Sequence, residues 1–356
     1  MSKKEILGRK GLPDIRLGYI GVGRYLPPHI LTNQDLERMV ETSDEWIIQR
    51  TGIKTRRIMG PRESVVTMAT AAAQAALDHS RIDPHQIRVI RVGVNTHLRF
   101  PSLASIVEDQ LGIVNISAAD ISAGCSAFIF AVEEIYHYLM VEYLLTGEVG
   151  YGLAIGVDGL SSIVNWKDRS TCVLFGDGAG AVVIGPVVSG GILATLTRTQ
   201  GQYGDLLYLD DPILPALEDP NTMQFRDHNG VPYPFLHMEG RKVFQVAVRS
   251  MIADVKAVVE KYRKMSGEAV TVNDIAFVIP HQANHRIVSA VAEGLGIPMD
   301  RMYQEGIMKY GNTSSASIPI GYVDEWGKRP GALEIDVAFG SGFASGAILR
   351  RNPDQI

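Results

Sequence analysis

The stretch "FGDGAGAVVIG", residues 175 to 185, is echoed by "FGSGFASGAILR", residues 339 to 350. Each is a glycine turn running into an apolar strand, and one element met twice in a chain marks an internal repeat. A strand-like run, a reactive-looking residue and a helical stretch precede each copy: "AADISAGCSAFIF" the first, "IAFVIPHQANHRIV" the second. The offsets are similar, about 50 residues from Cys125 to Phe175 and about 58 from His281 to Phe339. The pattern predicts a duplicated fold with halves 1–187 and 188–356, the loop of Cys125 matching that of His281.

Short β-branched runs such as "IRVIRVGV", "YGLAIGV" and "IAFVIP" alternate with Ala-rich helical stretches such as "SVVTMATAAAQAALDH". Buried strands alternating with helices give an α/β fold. From about Ser126, Phe128, Val132, Ile135 and Leu139 recur at helical spacing, so one face packs inward. Cys125 then sits at a helix N-terminus, where unpaired N–H groups and a partial positive charge draw a thiol's pKa toward neutrality. That is the expectation for a nucleophile. Cys172, within the strand-like run "STCVLFG", reads instead as a packed structural cysteine.

The bulk numbers exclude several classes of function. A net charge of −5 leaves no basic field for nucleic acid. The most apolar stretch, "AVVIGPVVSGGILATL", is broken by Pro186 and paired glycines before it reaches membrane-spanning length. With no apolar leader at the N-terminus, the expected location is the cytoplasm. Two cysteines without a CxxC or Cys/His cluster make neither a disulfide framework nor a zinc site. His281 and His285 raise a metal reading, but Gln282 stands where an HExxH enzyme needs its glutamate, and no metal is expected. "GDGAG" lacks an acidic residue at ribose distance, so it reads as a tight turn and no nicotinamide is expected.

His281 follows a strand and a proline, and Asn312 lies in the turn-like "YGNTSSAS". Alone, each is more often structural. Together with Cys125 they offer a nucleophile and two neutral donors that stabilise an enolate when aimed at a thioester carbonyl. Residues 199 to 238, rich in Asp, Pro and Asn, read as a lid, a dimer-contact excursion or a surface insertion.

Six separated motifs, "TSDEWIIQRTGI", "AGCSAF", "DRSTCVLFGDGAGA", "PHQANHRI", "YGNTSSASIP" and "AFGSGF", resemble β-ketoacyl-acyl carrier protein synthase III in order and over nearly the whole chain. The resemblance implies a thiolase fold of five layers, αβαβα, working as a homodimer. It implies that Cys125 takes an acyl group from acyl-CoA while His281 and Asn312 hold the malonyl thioester, and that the N–H groups of Cys125 and Ser341 form an oxyanion hole. It further implies that Trp46, Arg50, Arg169 and Asn284 bind CoA and that Phe100 reaches from a partner subunit to cap the acyl tunnel. CoA enters as substrate, and no cofactor is implied.

Some positions depart from the family's pattern. Ala127 stands where glycine is common, with Gly124 before the cysteine instead, and the glycine triplet reads Gly340, Ser341, Gly342. At the carrier-protein face Gln245, Glu293 and Gly294 replace lysines, leaving Arg249 and Arg286 to dock malonyl-acyl carrier protein. Arg99, beside Phe100, reads as a surface guanidinium or as a binder of carboxylate-ended acyl chains. The alternative reading is a related acyltransferase or ketosynthase of specialised metabolism, with another acceptor or malonyl-CoA. A papain-like hydrolase and a non-catalytic scaffold are weaker rivals.

Overall fold

The computed structural model describes residues 15–209 and 235–354, and between them only two short strands. In chain order the strands are β1 (Leu17–Tyr25), β2 (His29–Thr32), β3 (Thr55–Ile58), β4 (Ile87–Gly93), β5 (Ser117–Ile121), β6 (Tyr151–Gly159) and β7 (Asp177–Pro186). They continue as β8 (Gly191–Thr199), β9 (Leu207–Leu209), β10 (Leu217–Asp219), β11 (Gln224–Phe225), β12 (Leu236–Met238), β13 (Phe277–Pro280), β14 (Leu333–Phe339) and β15 (Ala344–Arg351). The expected lid or insertion at 199–238 falls mostly on residues 210–234, which apart from β10 and β11 lie outside the described residues. Its described ends pair with each other, β9 against β12.

Two sheets carry the fold. One has the order β1-β7-β6-β4-β5, and the other, read from β8, has β8-β15-β14-β13. Met302 bridges Val278 in parallel where a fifth strand of the second sheet would lie. The senses match as well: β1 with β7 and β8 with β15 are antiparallel, while β4 with β6 and β13 with β14 are parallel. The repeat is thus real, and both glycine turns enter equivalent strands, β7 and β15. The matching of the loops needs correction. Cys125 follows β5, whose counterpart is the Met302 bridge, so its topological equivalent is the segment holding Asn312. His281 follows β13, the counterpart of β4, and so corresponds to the segment directly after Gly93.

Each sheet is buried on both faces, which is why its strands read as continuous apolar runs. In β7, Ala179, Ala181 and Val183 pack outward with the helices Val65–Ser80 and Leu103–Gln110. Val182 and Ile184, alternating with them, pack inward with Phe128, Val132 and Ile135 of the helix Ala127–Thr146 and with Ile318 and Tyr322 of the helix Ser317–Glu325. Beyond the second sheet, Ile335, Val337, Ala347 and Leu349 pack with the helices Gly240–Ser266 and His285–Leu295. The result is five layers, αβαβα. Gly23 of β1 permits close approach of the outer helix: a methyl there would come within 2.3 Å of the carbonyl oxygen of Ala72. Among the described residues no helix is long and apolar enough to cross a membrane.

Candidate active site

The nucleophile loop follows β5. Gly124 adopts φ +55, and a methyl on it would lie 2.3 Å from the Ser341 nitrogen. Only glycine serves there. A methyl on Gly340 would likewise lie 2.3 Å from the Cys125 nitrogen, so the turns carrying the N–H groups of Cys125 and Ser341 are in backbone contact. Ser126 donates to the Ala123 carbonyl at 2.6 Å and closes the turn into the helix Ala127–Thr146. Cys125 is half-buried just ahead of that helix.

Its ionisation differs from the expectation. Burial, first, pushes the thiol up to about 12; the Ser314 hydroxyl opposes this, and the Asp158 charge adds to it. Among the causes there is no cation, so the helix terminus acts against desolvation and a buried carboxylate together. The resting enzyme therefore holds a neutral thiol.

His281 continues the register of β13, its N–H donating to the Val337 carbonyl at 2.8 Å. Gln282 locks the loop: its amide donates to the carbonyls of Pro280 and Tyr303 and accepts from the Ile307 N–H. The ring stands edge-on to Phe339, centroids 5.5 Å apart. Its Nδ1 lies 2.7 Å from Ser317 Oγ, which already accepts from the Gln282 N–H at 3.3 Å. Among the described residues Nδ1 is the only acceptor within reach of the Ser317 hydroxyl proton, so that proton is assigned to Nδ1, which leaves Nε2 as the N–H donor. That buried Nε2 has no partner among the described residues. Burial lowers the ring's pKa to about 3, so it is neutral at pH 7.

Asn312 is pinned to the first glycine motif: its N–H donates to the Leu174 carbonyl at 2.9 Å, and its carbonyl accepts from the Gly176 N–H at 3.0 Å. Its side-chain Oδ1 accepts from the Ser314 N–H at 2.9 Å, leaving Nδ2 free to donate.

Cys125, His281 and Asn312 line one cavity of about 690 Å³. Trp46, Arg50, Asn284 and Arg286 line it too. Trp46 stands on the helix Asp44–Thr51, capped by Ser43, with the Arg169 guanidinium 4.8 Å over its ring and that of Arg50 at 5.8 Å. Asn284 caps the helix His285–Leu295 and donates to the Arg50 carbonyl at 3.1 Å. Phe100 is 99% exposed and lies outside the cavity of its own chain. Arg249 lies outside it as well, bonded to Tyr203 at 3.2 Å, whereas Gln245 is part of the wall. Cys172 is fully buried, as a structural cysteine should be, but it ends the short helix Arg169–Cys172 rather than sitting in a strand. Leu207 and Met238, which no motif singled out, also form the wall. Among the described residues no cluster of three or more His, Cys, Asp or Glu could hold a metal.

A duplicated αβαβα fold with a cysteine at one helix start and a neutral His and Asn from the opposite half defines a thiolase-fold condensing enzyme. Two family models match: 3-oxoacyl-[acyl-carrier-protein] synthase III over residues 119–201 and its C-terminal part over 265–351. A β-ketoacyl-[acyl-carrier-protein] synthase III of Caldanaerobacter subterraneus is 42% identical over 92% of this chain and 96% of its own. The crystal structure of the Aquifex aeolicus 3-oxoacyl-[acyl-carrier-protein] synthase III, 41% identical, covers 95% of this chain and 99% of its own at a TM-score of 0.79. A priming β-ketosynthase of a polyketide biosynthetic pathway, 29% identical, covers 98% and 100% at a TM-score of 0.82. The chain belongs to the β-ketoacyl-[acyl-carrier-protein] synthase III family and is, by that membership, an acyltransferase.

Proposed function

We propose that this protein catalyses the decarboxylating condensation that initiates fatty acid synthesis, acting in the cytoplasm as a homodimer without a cofactor. In the first half, the Cys125 sulfur bonds to the acyl carbon of acyl-CoA, the bond to the CoA sulfur breaks, and the thiol proton ends on CoA. In the second, the carboxylate bond of malonyl-acyl carrier protein breaks to release carbon dioxide. Its electrons enter an enolate whose oxygen is held by the Nε2–H of His281 and the Nδ2–H of Asn312. The enolate carbon attacks acyl-Cys125, the N–H groups of Cys125 and Ser341 hold the tetrahedral oxyanion, and the sulfur departs to regain one proton from solvent.

The observation that carries this reading is the shared cavity of Cys125, His281 and Asn312. A neutral imidazole suits the task, because an enolate needs a donor that does not protonate it fully. Trp46, Arg50 and Arg169 would take the CoA adenine and phosphate, an indole face and planar guanidinium both stacking on a base. The fully exposed Phe100 suits insertion into a partner subunit's tunnel. Arg249 and Arg286 would meet the acidic carrier protein.

A second reading, a ketosynthase of specialised metabolism with a different acceptor, is favoured by one observation: the uncharged Gln245 is part of the cavity wall, at a position where the resemblance expects lysine. Intact-protein mass spectrometry after incubation with a panel of acyl-CoA thioesters, then malonyl-carrier protein, tests both. An adduct of about 42 Da on Cys125 from acetyl-CoA, cleared by malonyl-carrier protein, is expected. Clearance by malonyl-CoA alone would move the assignment to the second reading, and no adduct from any thioester would overturn both.

A further inference from the structure

Asp158, near the end of β6, is a carboxylate with no solvent exposure that no step above uses. Its Oδ1 accepts from the N–H groups of Asn95 and Thr96 and from Thr96 Oγ1, at 2.8, 3.2 and 3.1 Å. Its Oδ2 accepts from Asn95 Nδ2 at 3.0 Å and from the Ser315 hydroxyl and N–H at 2.9 and 3.4 Å. An ionised carboxylate only accepts, so every one of these contacts suits it. Asn95 alone meets both oxygens, one with its backbone and one with its side chain, and is thereby held in a single orientation.

The other hydrogen of the same amide reaches the nucleophile loop, Asn95 Nδ2 donating to the Gly124 carbonyl at 3.1 Å. Both partners of Nδ2 are pure acceptors, a carboxylate and a carbonyl, so the amide faces them with its NH2. The Gly124 carbonyl belongs to the peptide unit whose other end is the N–H of Cys125. That unit is planar and trans, so the direction of the carbonyl sets the opposite direction of the N–H. Gly124, at φ +55, has no side chain to restrain the unit from turning. The carbonyl also accepts from the Ala127 N–H at 3.1 Å, a contact within the same loop and helix start. Asn95 ties the peptide instead to a separate loop, the one that follows β4.

We propose that Asn95 is a positioning residue of the oxyanion hole, its amide clamping the Gly124 carbonyl so that the Cys125 N–H is aimed at the acyl oxygen, with Asp158 holding the amide for that task. This rests on the acyl-transfer reading above. The tetrahedral intermediate of acylation carries its negative charge on that oxygen, and a donor contributes most when it points there before the charge forms. A bond accepted by the carbonyl also polarises the peptide unit, which strengthens its N–H as a donor. Enolate formation does not call on this hole, because the enolate oxygen is held by His281 and Asn312.

Asn95→Ala removes the amide and leaves the backbone N–H on Asp158. Three rates on the intact protein test its role. Single-turnover acylation by acetyl-CoA, read by mass, needs the hole; alkylation of Cys125 by iodoacetamide uses the same thiol but forms no oxyanion; carbon dioxide release from a malonyl thioester uses His281 and Asn312. The ratio of acylation to alkylation should fall by about tenfold or more, with carbon dioxide release within about twofold of wild type. A change in the thiol's ionisation moves both thiol rates together and leaves their ratio alone. Asn95→Ser, whose single hydroxyl proton cannot serve both acceptors, should lower the ratio likewise and serves as the test if Asn95→Ala folds poorly. An unchanged ratio would overturn the proposal, as would equal loss of all three rates, the mark of a merely structural contact. Wild-type protein that neither acylates nor decarboxylates would instead overturn the parent reading.

Discussion

Ser317 Oγ and His281 Nδ1 lie 2.7 Å apart, and with the hydroxyl proton assigned to Nδ1 the ring carries its own proton on Nε2. Ser317→Ala removes that constraint, freeing the ring to carry its proton on Nδ1 and present a lone pair to the cavity. Carbon dioxide release from malonyl thioester should fall about 10- to 100-fold, while acylation of Cys125 changes far less. Equal loss in both half-reactions would contradict the assigned tautomer.

His281 also sets a pH dependence. An unfolded histidine binds a proton below about pH 6.5, whereas the folded ring, held by burial near 3, does not. Between those values the unfolded state binds the extra proton, so stability falls as pH falls through 6.5. At pH 5 this penalty is about 2 kcal/mol relative to alkaline pH. Chemical denaturation at pH 7 and pH 5 should therefore show His281→Asn losing less stability on acidification than wild type, by about that amount. In a proton-detected NMR titration the His281 ring should not shift between pH 8 and 5.

The turn before the nucleophile predicts a failure of packing and function together. Gly124→Ala places a methyl 2.3 Å from the Ser341 nitrogen at φ +55. We expect destabilisation of about 2–4 kcal/mol from the left-handed backbone and the clash. The two N–H groups should separate, so surviving protein acylates slowly. A stable Gly124→Ala protein acylating at the wild-type rate would show that these N–H groups do not act together.

Much of this site was legible because its determinants are local. Cys125 announces itself by a small-residue loop and a helix start, and the repeat by two glycine turns entering equivalent strands. What the chain order hid depends on tertiary contact. Offsets of similar length matched Cys125 with His281, yet sheet order matches its loop with the segment holding Asn312, since spacing does not record which strand a loop follows. The sign of the thiol's shift was missed because burial and the charge of Asp158, which sits on another strand, are set by tertiary packing rather than by the local helix start. Asp158 did leave one signal, a lone carboxylate inside the apolar run "YGLAIGVDGL". Ser314, Ser317, Leu207 and Met238 left none, because nothing in their immediate neighbours distinguishes a residue facing the cavity from one facing the core.

The rim of the cavity gives the last expectation. The Arg169 guanidinium covers the Trp46 indole at 4.8 Å and donates to the Glu41 carbonyl at 2.8 Å. An adenine entering between the two must displace one cation–π contact and replace it with two stacking contacts. Trp46→Ala removes both the platform and the partner that holds Arg169 in place, so KM for acyl-CoA should rise about tenfold, equivalent to about 1.4 kcal/mol. The effect should be confined to KM, because the indole contacts a part of the substrate that does not react and is bound alike in ground and transition states. N-acetylcysteamine thioesters, which lack the nucleotide, provide the control. Their acylation rates should be the same in wild type and Trp46→Ala, and a parallel loss with the truncated substrate would place Trp46 in the support of the catalytic loop instead.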